Sequence, residues 1–330
     1  MSAADVTATP TRRPFTGRRV RFGDAALQLV AGGAALGATV LVGLIIWKVI
    51  DGSRPSISKY GLGFVTRVAW NPVVGHELYG AGSFIFGTLI TSFFALLIAT
   101  PLALGVALFL TELAPRWIQA PVTALVETLA AVPSVVIGLW GILVLGPALR
   151  TNIESWLHSA FGWIPLFGPP SAAGASIFTA IVVLSIMILP IVSSISRELF
   201  LGVPPELKEG ALALGTTRWE MIRGVVFPYA RGGIAAALIL GLGRAMGEAI
   251  AVTQVIGGGV FIHWSLFSGG DTLGSKIAAS YQGASTDLQS ASLIYLGLIL
   301  LVLSLIANIA AQGIVRQVAK KHGVTRGGHA

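Results

Sequence analysis

Arg244 and Glu248 stand four residues apart in "GLGRAMGEAIAVTQVIGG", residues 241 to 258, within an otherwise uncharged apolar stretch. On a helix that spacing puts both side chains on one face. Arg244 follows Arg231 by about 13 residues, roughly 20 Å along a helix, so in a membrane it sits near or slightly beyond the midplane. A charge there costs about 2.5–3.5 kcal/mol on insertion scales, so it has to face protein or water. Gly241, Gly243 and Gly247 leave the same stretch without bulk and permit close helix packing. One reading is an ion pair that holds helices together. The other is that Arg244 meets an anion, with Glu248 as its resting partner. The carboxylate then weakens the grip enough for release, as conduction requires.

A second acid, Glu127, precedes "AAVPSVVIGLWG", where Pro133 and Ser134 interrupt a helical ladder. Freed carbonyls and a hydroxyl are tolerated at membrane depth where they line a cavity or meet partners. Thr100-Pro101 does likewise in the apolar run before it. Each is either a structural kink or part of a polar path. Other chemistries find no support. There is no cysteine, and His76, His158, His263, His322 and His329 lack ligand spacing, which argues against a metal site. No nucleophile–base pair is visible. "GGDTLGSK", Gly269 to Lys276, has the Gly-x-x-x-x-Gly of a phosphate loop but then Ser-Lys in reversed order, with no strand before it. The chain is not expected to bind ATP.

The elements that hold these residues are helices in a membrane. Of 330 residues, 54% are hydrophobic and only 11% charged, against about a quarter charged in soluble domains. Six stretches are apolar and long enough for the ~20 helical residues of a bilayer core: 27–49, 81–110, 118–146, 174–195, 230–256 and 291–313. The first follows basic residues but is too long for the roughly 7–15-residue core of a cleaved signal, so it is read as retained. Six spans put both termini on one side. That side carries Arg12, Arg13, Arg18, Arg19, Arg21, Arg116, the basic residues of 196–231 and the tail's Arg316, Lys320, Lys321 and Arg326. The other side has only Arg54, Lys59, Arg67, Arg150 and Lys276. The basic side is expected to be cytoplasmic. The net charge of +8 thus reflects membrane flanks, not a nucleic-acid face. On the outer side, "TNIESWLHSAFGWIPLFGPP" interleaves Trp156, Phe161, Trp163 and Phe167 with Pro and Gly. It is either an interfacial helix and turn or part of a docking surface.

On the cytoplasmic side lies "PELKEGALALGTTRWEMIRGVVFP", residues 205 to 228. Pro204 and Pro205 suit a helix start, and Leu207, Ala211 and Leu214 form one stripe. Gly215 ends that helix. Thr217 with Glu220 makes a capping-box pattern for a second, striped by Trp219, Ile222 and Val226 and closed by Pro228. The result is a bent knuckle. It is either a connector on the membrane surface or an insert for a groove on a soluble partner.

This segment resembles the EAA loop of ATP-binding-cassette importer permeases. Glu209, the small pair Gly210 and Ala211, Gly215, and Val225-Val226-Phe227-Pro228 fall at its spacing, with Gly210, Val225 and Phe227 departing from the usual residues. "TPLALGVALFLTELAP", "VETLAAVPSVVIGLWG", "LPIVSSISREL" and the Arg244 stretch are similar to one branch, the phosphate transport permease family PstC, over about residues 80 to 315. The resemblance implies an all-α integral membrane protein of six transmembrane helices, a type I importer (MetI-like) core plus an extra N-terminal helix. It implies a non-enzymatic pore half for inorganic phosphate in a bacterial plasma membrane. Its partners are a sister permease (PstA), two copies of an ATPase (PstB) that carries ATP and Mg, and an external phosphate-binding protein (PstS). It also implies that Arg244 and Glu248 lie on the phosphate path, with Pro133, Ser134 and Glu127, and that Glu209, Gly210, Ala211, Gly215 and Pro228 belong to the ATPase-coupling segment.

The expected organisation is a basic tail (1–24), an N-terminal span (25–50), an outer loop (51–79), the permease domain (80–315) and a basic tail (316–330). The tail at 1–24 is expected to lack order unless anionic lipid holds it. Rival readings are a permease for sulfate or molybdate, and an ion-coupled secondary transporter using Glu127 or Glu248 as proton carrier. The matched docking segment argues against the second.

Overall fold

Alanines at every fourth position, Ala95, Ala99, Ala103 and Ala107, make a stripe without side-chain bulk, and all four are fully buried in the computed structural model. Such a stripe lets two helix backbones approach closely where no water drives them together. The structure describes residues 22–321, with side-chain surroundings for 23–315. The basic residues Arg12 to Arg21 and Arg326, and the side chains of Arg316, Lys320 and Lys321, fall outside that description.

In chain order the elements are α1 (Phe22–Tyr60), α2 (Gly63–Thr66), the two-residue strands β1 (Trp70–Asn71) and β2 (Leu78–Tyr79), and α3 (Gly82–Leu108). Next come α4 (Arg116–Ala131), α5 (Ser134–Trp140), α6 (Gly146–Ala148), α7 (Ser155–Phe161) and α8 (Ile177–Leu201). The chain continues through α9 (Pro205–Ala213), α10 (Arg218–Met221), α11 (Phe227–Gly247), α12 (Ile250–Val255), α13 (Leu273–Ser280) and α14 (Asp287–Lys321). Wider π turns at Gly141–Leu145, Leu149–Glu154 and Ile222–Val226 join neighbouring helices, and one at Phe109–Leu113 ends the α3 run.

Among the described residues, six helical runs are long and apolar enough to cross a membrane: 23–60, 82–113, 134–161, 177–201, 218–247 and 287–315. The chain divides into two units, residues 1–48 and 49–330. In the first, residues 22–48 are one apolar helix. In the second, α8 is central. Ala180, Val183, Leu184, Ile188 and Val192 are buried on it against the alanine stripe of α3, and Ser185 Oγ donates to Ala95 O at 3.2 Å. Gly241 on α11 sits beside Ile188 and Val192, where an added Cβ would lie 3.0 and 3.1 Å from their methyls. A second cluster joins Phe64, Tyr79 and Phe84 to Leu293 and Leu296 of α14.

Several expectations from the sequence change. The third span does not occupy 118–146: α4 ends at Ala131, Val132 and Pro133 are extended, and the spanning run is 134–161. Hydropathy alone could not choose, since both sides of Pro133 are apolar. In consequence the helix expected within 147–173 is the end of that run, finishing at Phe161. Thr100-Pro101 does not break α3, which runs straight through Pro101. The Thr100 hydroxyl donates to Leu96 O at 2.6 Å within the same turn. The region 51–79 holds the last turns of α1, α2 and a hairpin in which Gly75 takes φ +85° at the turn.

Residues 257–273 cross over between helices on a chain of glycines. Thr272 caps α13 with Ser275 as its reciprocal partner, so the apparent phosphate loop is a helix start. Asp271 beside it accepts from the Gly259 N–H at 3.4 Å and lies 3.9 Å from Lys276, whose ammonium is 5.5 Å from the Trp70 ring centre. Burial pushes the Asp271 carboxyl above its ordinary range, only partly offset by Lys276, the Gly259 N–H and Ser275. The folded state therefore holds the proton better than the unfolded chain. The resulting stabilisation is present below the ordinary Asp value of about 4 and is lost as pH rises through the raised value. Asp271→Asn is expected to flatten the pH dependence of thermal unfolding above about pH 4. An unchanged slope in the variant would refute this assignment.

Candidate functional site

The helix carrying Arg244 stops one residue short of Glu248. α11 ends at Gly247, and Glu248 is extended at ψ 122° before α12 begins at Ile250. The expected uninterrupted span 230–256 is therefore corrected to two helices. The break holds because its polar ends find partners. Glu248 Oε1 accepts the Ala251 N–H at 3.2 Å, and Oε2 lies 3.3 Å from Arg244 Nη2. Gly138 on α5 lets the short α12 come close: a Cβ there would sit 2.8 Å from Ala251 Cα.

The pair is asymmetric. The Glu248 side chain is 6% exposed and that of Arg244 47%. The carboxylate is engaged with protein, whereas the guanidinium keeps part of its surface free. That free part borders an open cavity of about 770 Å³, walled by Ile191, Ile239 and Leu240 with Asn308 of α14 on its lining. A cation on an apolar wall, steadied by a buried carboxylate, suits an anion that must be held and then released.

The other expected path residues lie apart from it. Glu127 borders a separate recess with Thr123, Ser193, Ser194 and Arg197. Pro133 and Ser134 do break the helix, with Pro133 extended and Ser134 opening α5, but they border neither recess.

The 205–228 segment forms the bent pair of helices. Pro204 and Pro205 open α9, and Gly215 turns the chain at φ +84°. Thr217 Oγ1 accepts the Glu220 N–H while Glu220 Oε2 accepts the Thr217 N–H, completing the capping box. Pro228 does not close the segment. The helix runs from Arg218 to Gly247, and the π turn at Ile222–Val226 absorbs the proline's missing N–H. The stripes face two ways: Met221, Ile222 and Val226 are buried with Phe200 and Ala107, whereas Leu207, Leu214 and Trp219 are exposed. Glu209 and Gly210 are exposed on α9, and Ala211 is half-buried.

One contact escaped the sequence. Lys208 Nζ donates to Glu112 Oε1 at 2.6 Å and to Phe200 O at 3.1 Å, and Arg218 reaches Glu112 O at 3.4 Å. Glu112 thus ties α9 to the end of the α3 run. Its only sequence signal is an acid closing an apolar helix.

A family model described as a binding-protein-dependent transport system inner membrane component matches residues 99–320. A phosphate transport system permease protein PstC of Mesorhizobium japonicum is 41% identical over 321 residues, covering 96% of this chain and 97% of that one. One of Pasteurella multocida is 42% identical and covers 86% and 89%. PstC 2 of Mycobacterium tuberculosis is 41% identical and covers 90% and 93%. Among solved structures, a bacterial alginate ABC transporter in complex with an alginate pentasaccharide-bound periplasmic protein aligns with TM-score 0.59 at 20% identity, over 89% of this chain and 98% of that one. At that identity the likeness speaks for the fold alone. Family match and relatives agree across most of the length: this chain belongs to the binding-protein-dependent inner membrane transport components, among the phosphate transport system permease proteins PstC.

Proposed function

We propose that this permease forms one half of an ATP-driven pore for inorganic phosphate, with Arg244 meeting the anion and Glu248 moderating its hold. The observation that carries the reading is the unequal exposure of the pair: a buried, doubly engaged carboxylate beside a guanidinium open to a cavity. The partners are a sister permease (PstA), two ATPase copies (PstB) that bind ATP and Mg, and an external phosphate-binding protein (PstS). The termini and the 205–228 knuckle face the cytoplasm, as the Lys/Arg asymmetry favours. Exposed Leu207, Leu214 and Trp219 seat in the ATPase, with Glu209, Gly210, Ala211 and Gly215 shaping the turn and Pro228 lying in the helix that leads on to Arg244. Because that helix is unbroken from Arg218 to Gly247, a pull on the knuckle moves the anion-binding wall directly.

The test is ATP-dependent uptake of radiolabelled phosphate into vesicles holding the four components, run beside sulfate. Phosphate uptake with little sulfate uptake is expected. Equal or greater sulfate uptake would move the assignment to another oxyanion.

Glu248→Gln is expected to slow release. Removing the negative charge leaves Arg244 uncompensated, so the anion is held longer, with a turnover loss of about tenfold and an unchanged or lower KM. The amide still accepts the Ala251 N–H, so assembly persists. Unaltered uptake kinetics would discard the role given to Glu248.

A further inference from the structure

α4 is amphipathic, with Trp117 and Leu125 exposed on one side, while Thr123 and Glu127, one turn apart, border the recess it shares with α8. Ser193 and Arg197, also one turn apart, line the same recess from α8. The space is about 10 Å³, room for a single water and too little for an oxyanion. Its one acid and its one cation do not meet. Among the described residues Glu127 is in no ion pair, and Arg197 Nη1 lies 2.9 Å from Glu198 Oε1 instead. That bridge is weak. Adjacent residues on a helix do not face each other, and the Glu198 side chain is 70% exposed, so solvent screens it. Arg197 stands between two carboxylates and holds the more screened one.

The recess lies where the knuckle can act on it. No residue of α4 is buried, so the helix is lightly held and can shift as a unit. It begins at Arg116, just past Glu112, which holds Lys208 of α9 and accepts from Arg218 of α10. Gln119 in its first turns donates to Ala114 O at 3.0 Å, so the corner and the helix move together. α8, on the other side, is anchored along the alanine stripe of α3. We infer that Glu127 and Arg197 form a latch. When the knuckle is pulled, α4 closes on α8, Arg197 leaves Glu198 for Glu127, and the knuckle end of the bundle is held shut until hydrolysis releases it. The step rests on the reading of 205–228 as the ATPase-coupling segment. A bridge made in one state and absent from the other shifts the balance between them by its own differential strength. The present arrangement, with Arg197 on Glu198, is the unlatched one.

The test places Glu127→Cys with Arg197→Cys in the intact complex in lipid nanodiscs. This chain has no cysteine of its own, and the other subunits are used in cysteine-free form. A short bifunctional thiol reagent is applied without nucleotide and after trapping with ATP and vanadate. Trapping is expected to raise the crosslinking yield by at least about fivefold. Equal yields in the two states overturn the latch. Adding Lys208→Met is expected to abolish the rise, because the pull no longer reaches α4; a rise that persists overturns the route through Glu112. Charge variants give a second reading, as phosphate taken up per ATP hydrolysed. Glu127→Gln and Arg197→Gln should each lower that ratio by about fivefold, and Glu127→Arg with Arg197→Glu should restore most of it. Glu198→Gln should leave it unchanged. An unaltered ratio in Glu127→Gln, or an equal loss in Glu198→Gln, discards the exchange of partners. Leu214→Asp with Trp219→Asp, run alongside, tests the coupling segment itself. If uptake survives there, the reading beneath the latch fails. If uptake is lost there while the crosslinking yield ignores trapping, the latch alone fails.

Discussion

Arg244→Gln is expected to lower ATP-dependent phosphate uptake by about a hundredfold or more, the scale seen when one charge-stabilising donor is removed from a water-poor site. Glutamine keeps a donor and much of the length but removes the charge. An anion leaving water for a cavity walled by Ile191, Ile239 and Leu240 then meets no positive charge on that wall, while Glu248 stays in place to repel it. The fold should survive, because the helix break also rests on the Ala251 N–H to Glu248 and on the close approach of α12 to Gly138. The carboxylate left unpaired adds some destabilisation, which Arg244→Gln with Glu248→Gln is expected to relieve without restoring transport. Normal uptake by the single variant would reduce the pair to a fastening between neighbouring turns.

Lys208→Met is the second large effect. Its side chain is 18% exposed and that of Glu112 opposite only 9%. Removing one partner of a fully buried pair costs about 3–5 kcal/mol. With this much solvent access a loss of about 1–3 kcal/mol is expected. The loss falls on the joint between α9 and the α3 run, so its functional reading is uncoupling. Uptake should drop by about tenfold or more while the complex still hydrolyses ATP, since a loosened knuckle follows the ATPase without moving the bundle. Glu112→Leu with Lys208→Met removes both charges and should recover stability, because an apolar pair of similar volume replaces a buried ion pair at little cost. If the single variant transports at the wild-type rate for each ATP consumed, the pair has no part in coupling.

The features legible in the sequence are those fixed by a few neighbouring residues. Gly215 needed a positive φ, and Thr217 and Glu220 completed a box within one turn. Each is decided locally, so a string of letters suffices. The Arg244–Glu248 pairing was visible for the same reason, as two residues one turn apart. The break after Gly247 was not visible. No proline marks it, and what holds it is Gly138 on another helix together with a side chain bonding back to Ala251. Pro228 misled for a related reason. A proline ordinarily ends a helix, but a π turn before it supplies slack that hydropathy does not register. Glu112 and Lys208, 96 positions apart in the chain, become partners only when α9 folds back under the α3 run.

The π turn at Ile222–Val226 bears on which length changes the chain can tolerate. A π turn holds one residue more than the α-helix around it would need, so removing that residue closes the run towards a regular helix, with Pro228 then inside it at the usual cost of about 3 kcal/mol. The helix itself would survive the deletion. Yet each residue turns a helix by about 100°, so everything beyond the turn would rotate by that much relative to the knuckle. Gly241 would leave its seat against Ile188 and Val192, and Arg244 would point away from the cavity it now borders. The segment between the knuckle and the anion wall can vary in composition, but its residue count acts as a phase setting that keeps the two in step.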